Sequence, residues 1–154
     1  MSQPVIRPAR AGEYDEIARV WMESWVSTGL AEASNFLLAN LRARLRREIE
    51  DGVSLFVADD DGTIAAMLAL HLPKFYLNQL FVAPAYQGKS LGRQLLTFAR
   101  TQLPDEIYLH CVRENEKAWR RYEREGFVFE KEEIASTTGF MMKCYRWKNK
   151  GNAP

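Results

Sequence analysis

Cysteine and histidine are scarce in this sequence, and their scarcity excludes several classes of protein. The 154 residues include 2 Cys and 2 His, which are too few for a disulfide scaffold and lack the spacing of metal ligands. Cys111 and Cys144 lie in apolar runs that are predicted to be buried strands. We therefore expect reduced thiols, a cytoplasmic protein and no metal site.

Charge of one sign and long apolar runs are also missing. The 21 basic and 20 acidic residues leave a formal net charge of +1, which gives no overall attraction to nucleic acid or to an anionic membrane. No apolar run approaches the roughly 20 residues that a membrane span needs, and the first residues lack the pattern of a secretion signal. We expect no nucleic-acid partner and no membrane partner.

The residues that are present suit one globular domain. Hydrophobic residues make up 47% and charged residues 27%, close to the average for domains with an ordinary core. No internal repeat or linker interrupts the chain. We predict a single domain over residues 1–147 and a frayed tail over 148–154.

Hydrophobic periodicity predicts a mixed α/β fold. Four segments with apolar residues every three or four positions predict helices over 12–25, 34–50, from the 83–92 loop to about 103, and 114–124. Seven β-rich segments predict strands over 5–6, 53–58, 63–71, 75–82, 107–112, 127–134 and 140–147. Strand–helix–strand crossovers in the second half imply parallel neighbours, while a hairpin in each half implies antiparallel ones.

The loop over residues 82–92 joins a strand to a helix and contains Gly88 and Gly92. Glycine lets backbone N–H groups face a ligand, and the first amides of a helix are unpaired and partly positive. Together these features predict an anion site suited to a pyrophosphate, with side-chain support from Gln87 and Lys89. A tight turn without a ligand is the alternative. A Walker loop is excluded because its earlier glycine is missing.

A second candidate segment lies on the helix over 114–124. Asn115 and Tyr122 are seven residues apart, so they share one helix face, with Ala118 and Trp119 between them. Such a pair suits a polar binding site. The alternative makes Asn115 an N-cap and Tyr122 a core aromatic with a solvated hydroxyl.

Taken together, these two segments resemble the GNAT superfamily of N-acetyltransferases, over essentially the whole chain. The first is similar to that family's Gln/Arg-x-x-Gly-x-Gly/Ala acetyl-CoA signature, with Ser90 where glycine is usual. Serine there keeps the backbone N–H but is strained if the position needs a positive φ. The second is similar to the family's Asn-x-x-Ala-x-x-x-Tyr-x-x-x-Gly-Phe segment. The residues that match are Gln87, Gly92, Asn115, Ala118, Tyr122, Gly126 and Phe127, together with Pro84 and the strand over 80–82.

This resemblance implies a fold and an activity. The implied fold is α/β (α+β), with a mixed, mostly antiparallel sheet, a splayed parallel central pair and helices on both faces. The implied reaction moves an acetyl group from acetyl-CoA to a primary amine by direct attack, without a metal or an acyl-enzyme. A small-molecule acceptor is favoured because no extended charged docking surface is visible. A protein or peptide amine, or a non-catalytic acyl-CoA-binding sensor, is the alternative, and a homodimer is one of the open oligomeric states.

The resemblance also implies roles for individual residues. Tyr122 is the implied general acid for the departing thiolate, and Asn115 orients the cofactor arm. Proton transfer from a phenol of pKa about 10 to a thiolate of pKa about 8.5 is uphill by only about 2 kcal/mol. The strand over 80–82 pairs with the pantetheine arm, and the loop amides hold the pyrophosphate. The implied cofactor-binding residues are Leu80, Phe81, Val82, Gln87, Gly88, Lys89, Ser90, Leu91, Gly92, Arg93, Asn115 and Tyr122.

The general base is left open by the sequence. The glutamate that the family often carries on the strand ending at Val82 has no counterpart, since residues 76–79 contain no carboxylate. His71, His110 and a water chain are the candidates.

The acceptor side is predicted only in outline. Trp21, Trp25, Phe75 and Tyr145 are candidate walls of a pocket, although each also suits the core. Four arginines occur within residues 42–47, and Glu48 and Glu50 follow two of them at a spacing of four. This spacing predicts a solvated, salt-paired helix face.

Overall fold

The computed structural model describes residues 3–30, 38–136 and 138–151. Within them, seven strands form one sheet: β1 (Val5–Pro8), β2 (Ser54–Asp60), β3 (Thr63–His71), β4 (Tyr76–Val82), β5 (Glu106–Val112), β6 (Val128–Ile134) and β7 (Met141–Lys148). Four α-helices flank the sheet: α1 (Tyr14–Val26), α2 (Leu38–Glu50), α3 (Leu91–Gln102) and α4 (Glu116–Arg124). The predicted start of α2 over 34–37 and the tail over 152–154 lie outside the described residues.

The strand order is β1-β2-β3-β4-β5-β7-β6, and every neighbouring pair is antiparallel except β4 and β5. That parallel pair is short, because it joins only Tyr76 to Tyr108 and Leu77 to Leu109. Beyond these residues the two strands separate. The predicted mixed sheet with a splayed central pair is therefore confirmed.

Helices cover both faces of the sheet, as predicted. On one face α1 and α2 bury Ile17, Trp21 and Leu41. On the other, α3 packs Leu95 and Leu96 against the strands. Full burial of each such side chain contributes roughly 1.5–3 kcal/mol. The helical stripes seen in the sequence thus form the two halves of the core.

The strand β4 contains one extra residue, and this irregularity shapes the site. Its partner β3 pairs Ala69 with Gln79 but Leu70 with Leu77, so Asn78 has no partner of its own. Such a bulge interrupts the alternation of side chains between the two faces. The strand also begins one residue later than predicted, because Phe75 adopts a left-handed φ of 54°.

Candidate active site

A cleft of about 700 Å³ opens where β4 and β5 separate. Beside it lies a narrower cavity of about 340 Å³, bounded by the end of β4, Gln87 and the first turns of α4. Both spaces contact the same four residues, so they are adjacent. The shared residues are Leu80, Phe81, Asn115 and Ala118.

The start of α3 presents unpaired amides next to the narrower cavity. Gly88 has a φ of 78° and Ser90 a φ of 65°, and the helix begins directly after Ser90. The first N–H groups of a helix have no acceptor within it. Ser90 is therefore a serine in the left-handed region, where an L-residue costs roughly 1–2 kcal/mol. The sequence analysis predicted that Ser90 would be strained if its φ were positive, and its φ is positive.

The loop side chains predicted to support an anion are engaged within the loop itself. The Gln87 amide donates to the Val82 carbonyl at 3.0 Å, and the Lys89 ammonium lies 5.8 Å from the centre of the Tyr86 ring. These contacts brace the turn. The Leu91 side chain is buried in the core, and the exposed Arg93 guanidinium pairs with Glu125 at 3.0 Å. The side chains of this loop are thus engaged by the protein itself.

Arg121 is a residue at this site that the sequence reasoning missed. Its guanidinium lies against Gly92, where an added Cβ would come within 2.7 Å of Nη1. Arg121 also lines the narrower cavity. A cation therefore stands beside the amides that open α3. The available signal was the spacing of three that joins Asn115, Ala118 and Arg121 on one face of α4.

Asn115 and Tyr122 both line the cleft. Asn115 precedes α4, but its side chain makes no capping hydrogen bond, so the capping alternative is not supported. Tyr122 is 8% exposed and its ring packs on Phe127, with the ring centres 5.6 Å apart. Burial raises the pKa of Tyr122 well above its ordinary value, with Cys111 adding to the rise. The phenol is held neutral at the cleft.

Glu48 is a carboxylate in the cleft, which corrects the prediction of a salt-paired surface. It accepts a hydrogen bond from the Asn78 amide at 3.1 Å and one from Gln79 at 3.3 Å. The β4 bulge makes this pairing geometrically feasible, because it turns two consecutive amides toward α2. Burial raises the pKa of Glu48, although the two amides and Arg44 oppose the rise.

Both histidines line the cleft, and each has an oxygen beside Nε2. His71 is buried with Nε2 2.9 Å from the Asp51 carbonyl. His110 Nε2 lies 3.1 Å from a Glu133 oxygen, and burial lowers the pKa of His110. Glu133, His110 and Cys144 also place one ligand-type atom each within 4.8 Å of one another. The three residues lie on the neighbouring strands β5, β7 and β6, and His110 is the one that lines the cleft.

Of the four predicted acceptor walls, two line the cleft. They are Trp21 and Trp25, on α1. Phe75 is 43% exposed and Tyr145 is buried in the opposite half of the core, where its hydroxyl donates to Glu123 at 2.7 Å. Phe81 and Phe140 instead complete the aromatic wall.

Residues 14–127 match the sequence model of the Acetyltransferase (GNAT) family. The chain belongs to the GNAT family. No curated protein matches it. The family assignment makes this chain an acetyl-CoA-dependent N-acetyltransferase, which moves an acyl group to an amine. In the described residues, no helix has the length and apolar content to cross a membrane.

Solved GNAT structures share the fold over nearly the whole chain. The PaiA N-acetyltransferase of Thermoplasma acidophilum, in complex with coenzyme A, gives a TM-score of 0.72 at 22% identity, with 97% of this chain and 100% of that chain covered. The yncA protein of Salmonella typhimurium, with its cofactor acetyl-CoA, gives 0.69 at 18% identity, with 99% and 98% covered. A chimera of the Vibrio cholerae spermidine N-acetyltransferase SpeG and hSSAT gives 0.69 at 23% identity, with 96% of both chains covered.

Proposed function

We propose that this GNAT enzyme acetylates a primary amine on a small molecule, and that the amine attacks the thioester directly. The cleft of about 700 Å³ carries this proposal. Its volume and its aromatic lining, with a few polar groups, suit a small ligand. A protein acceptor would call for an extended complementary surface, and the sequence shows no block of like charge that would supply one.

The cofactor site follows from β4 and α3. After Leu77 the described residues of β4 make no ladder with β5, so their main-chain groups are available to the pantetheine arm. The amides at the start of α3, with Arg121 beside them, suit the pyrophosphate. When bound, acetyl-CoA supplies the thioester carbonyl near Leu80, where the two cavities meet.

Proton transfers are assigned to two groups on opposite sides of the cleft. An alkylammonium of pKa about 10.4 must lose a proton before it attacks. Glu48 takes this proton, ahead of His71, His110 or water, because burial raises the pKa of Glu48 and makes it a better base. Tyr122 donates a hydrogen bond to the sulfur as charge builds there. A raised pKa keeps Tyr122 neutral and ready to donate.

The test combines binding with turnover. Melting temperatures are measured with equal concentrations of acetyl-CoA, CoA and ATP, and thiol release is followed with a panel of amines and lysine-containing peptides. We expect acetyl-CoA and CoA to stabilise the fold more than ATP, since ligands that bind only the native state raise stability. Turnover is expected with small amines above peptides. An equal shift with ATP would contradict the pantetheine site, and tight binding without any turnover would favour the sensor.

A further inference from the structure

Arg44 is a cation in the acceptor part of the cleft. It lies on α2 one turn before Glu48, it is half-buried, and it lines the cleft. Its guanidinium carbon lies 4.9 Å from the centre of the Trp21 ring. Burial lowers the pKa of Arg44, so loss of solvent opposes its charge. The aromatic face compensates only part of this loss.

Among the residues that the structure describes, no carboxylate forms an ion pair with Arg44. The charge of Glu48, one turn later, favours the Arg44 cation, but the two Glu48 oxygens accept hydrogen bonds from Asn78 and Gln79 instead of from Arg44. Three other half-buried arginines have carboxylate partners, whereas half-buried Arg121, which lines the narrower cavity, shares with Arg44 the lack of an ion pair within the described residues. Arg7 pairs with Glu13 and Asp59, Arg100 with Glu125, and Arg146 with Glu106 and Glu130.

The neighbouring charges of the cleft strengthen this contrast. Arg47 and Lys74 also line it, and within the described ranges neither has an ion pair. The second carboxylate of the lining, Asp51, lies beside His71 at 3.6 Å. Positive charge therefore exceeds negative charge on the α2 side of the cleft, which favours a ligand that carries an anion.

We infer that the acceptor is an amine that also carries a carboxylate, as an amino acid does. Arg44 binds the carboxylate, since a guanidinium fork matches two carboxylate oxygens. Glu48 faces the ammonium group. The two residues are four apart on one helix, so their Cβ atoms lie about 5–6 Å apart, which suits two charged groups of one small molecule. This inference rests on the proposed acetyl transfer and names its substrate class.

The proton and bond changes balance with these groups. The ammonium gives one proton to Glu48, which passes it to solvent, and the free nitrogen forms a bond to the thioester carbonyl carbon. The carbon–sulfur bond then breaks and releases the CoA thiolate. The nitrogen loses a second proton as the amide forms, and the thiolate gains one proton to become CoA–SH. The product amide has lost the charge that faces Glu48 but keeps the carboxylate bound at Arg44.

The first experiment compares matched acceptors on the wild-type enzyme. Several L-amino acids are tested beside their carboxamides, their decarboxylated amines and spermidine, with kcat/KM measured by thiol release. We expect kcat/KM to be at least tenfold higher for the amino acids than for the matched amides. Equal or better turnover of the amides, the decarboxylated amines or spermidine would overturn the inference while leaving acetyl transfer intact. No turnover of any amine, despite stabilisation by acetyl-CoA, would overturn both proposals.

The second experiment tests Arg44 itself. Arg44→Gln should lower kcat/KM for the amino acid at least tenfold more than for the matched amide, chiefly by raising KM for the amino acid. Arg44→Lys should restore part of the loss. Arg46→Gln makes the same charge change on the same helix at an exposed residue outside the cleft lining, so it should have no effect. An equal loss with acid and amide in Arg44→Gln would assign Arg44 a structural role and reject the inference.

A binding measurement covers the case in which a variant folds poorly. An N-acetyl amino acid and its N-acetyl amide are added separately to the wild-type enzyme with CoA. The acid should raise the melting temperature more than the amide, because only the acid meets the cation. Equal shifts would reject the role of the carboxylate.

Discussion

Glu48 Oε1, on a helix, accepts a hydrogen bond at 3.1 Å from the side-chain amide of Asn78, which is the extra residue of a bulged strand 30 positions later. The strand therefore lacks a carboxylate of its own but holds one in place. The neutral amides fix the orientation of Glu48, and burial raises its pKa by more than the amides and Arg44 lower it. This arrangement gives the cleft a carboxylate suited to accept a proton.

The first prediction concerns Glu48→Gln, which keeps the shape of the side chain but removes the base. We expect kcat/KM to fall at least tenfold while the affinity for acetyl-CoA stays unchanged, because the cofactor amides are elsewhere. Steady-state kinetics and calorimetry measure the two quantities. Glu50→Gln, at an exposed position on the same helix, is the control and should behave as wild type.

The pH dependence sharpens this prediction. Because the folded-state pKa of Glu48 is raised, its activity as a base is lost as pH falls through that raised value. Stability has the opposite dependence on pH. Because ionisation of a desolvated carboxylate opposes folding, the free energy of unfolding falls as pH rises above the ordinary value of 4.5. Glu48→Gln should remove this acidic limb from the rate profile and this loss of stability from the melting profile. An unaltered rate profile would reject Glu48 as the base.

The second prediction concerns Tyr122→Phe, which keeps the ring but removes the hydroxyl. General-acid help is typically worth about 10²–10⁴-fold, and water recovers part of it. We therefore expect turnover to fall by roughly tenfold or more, about 1.4 kcal/mol in the barrier, with acetyl-CoA affinity retained. Tyr145→Phe is the matched control, a buried tyrosine outside the cleft. Loss of cofactor binding in Tyr122→Phe would indicate a packing role instead.

The third prediction concerns Ser90→Gly. The change relieves the left-handed strain of serine, roughly 1–2 kcal/mol, but adds roughly 0.5–1 kcal/mol of backbone entropy to the unfolded chain. The net effect should be a gain of about 1 kcal/mol or less, a rise in Tm of about 2–4 °C, with acetyl-CoA affinity kept because the N–H remains.

Ser90→Ala is the control for that experiment, since alanine removes the hydroxyl but keeps the Cβ and its strain. It should not stabilise the protein as glycine does. Ser90→Pro would not test the amide alone, because the φ of 65° is closed to proline. A lower melting temperature in Ser90→Gly would show that the serine side chain itself stabilises the turn.

The fourth prediction concerns Arg121→Gln, which removes the cation beside the start of α3. Calorimetry should show weaker binding of CoA and acetyl-CoA by roughly tenfold, consistent with one charged hydrogen bond of about 1.5–3 kcal/mol. Acetyl-pantetheine lacks the pyrophosphate, so its affinity should not change. Arg124→Gln, an exposed arginine on the same helix, is the control. An equal loss with both ligands would place Arg121 outside the phosphate site.

Local patterns were sufficient for much of this fold and for part of its site. The stripe that includes Ile17 and Trp21 is buried as its helical spacing predicted, because amphipathic periodicity is a local property. Asn115 and Tyr122 meet the cleft because both lie on one helix face. The splayed strand pair came from the family resemblance, since neither strand carries a local signal for separation.

The rest depends on contacts between segments far apart in the chain. Glu48 was assigned to a solvated face because a spacing of four shows only the helix, and the strand that binds it begins 26 residues after α2 ends. A bulge has no reliable signature in one strand alone, because it is defined by the register with the partner. The position of Arg121 over Gly92 likewise depends on how α3 and α4 pack.

The bulge in β4 also divides one strand into two independently phased halves. Leu77 and Val82 pack into the core beneath α3, although an unbroken alternation would place them on opposite faces. If β4 were replaced by a strand from a relative that lacks the additional residue, the side chains of one half of the strand would therefore point to the wrong face of the sheet. Deletion of Asn78 would turn the side chains of one half of β4 to the opposite face of the sheet. A chimera that exchanges this segment must therefore keep the same number of residues, even where the residue types differ.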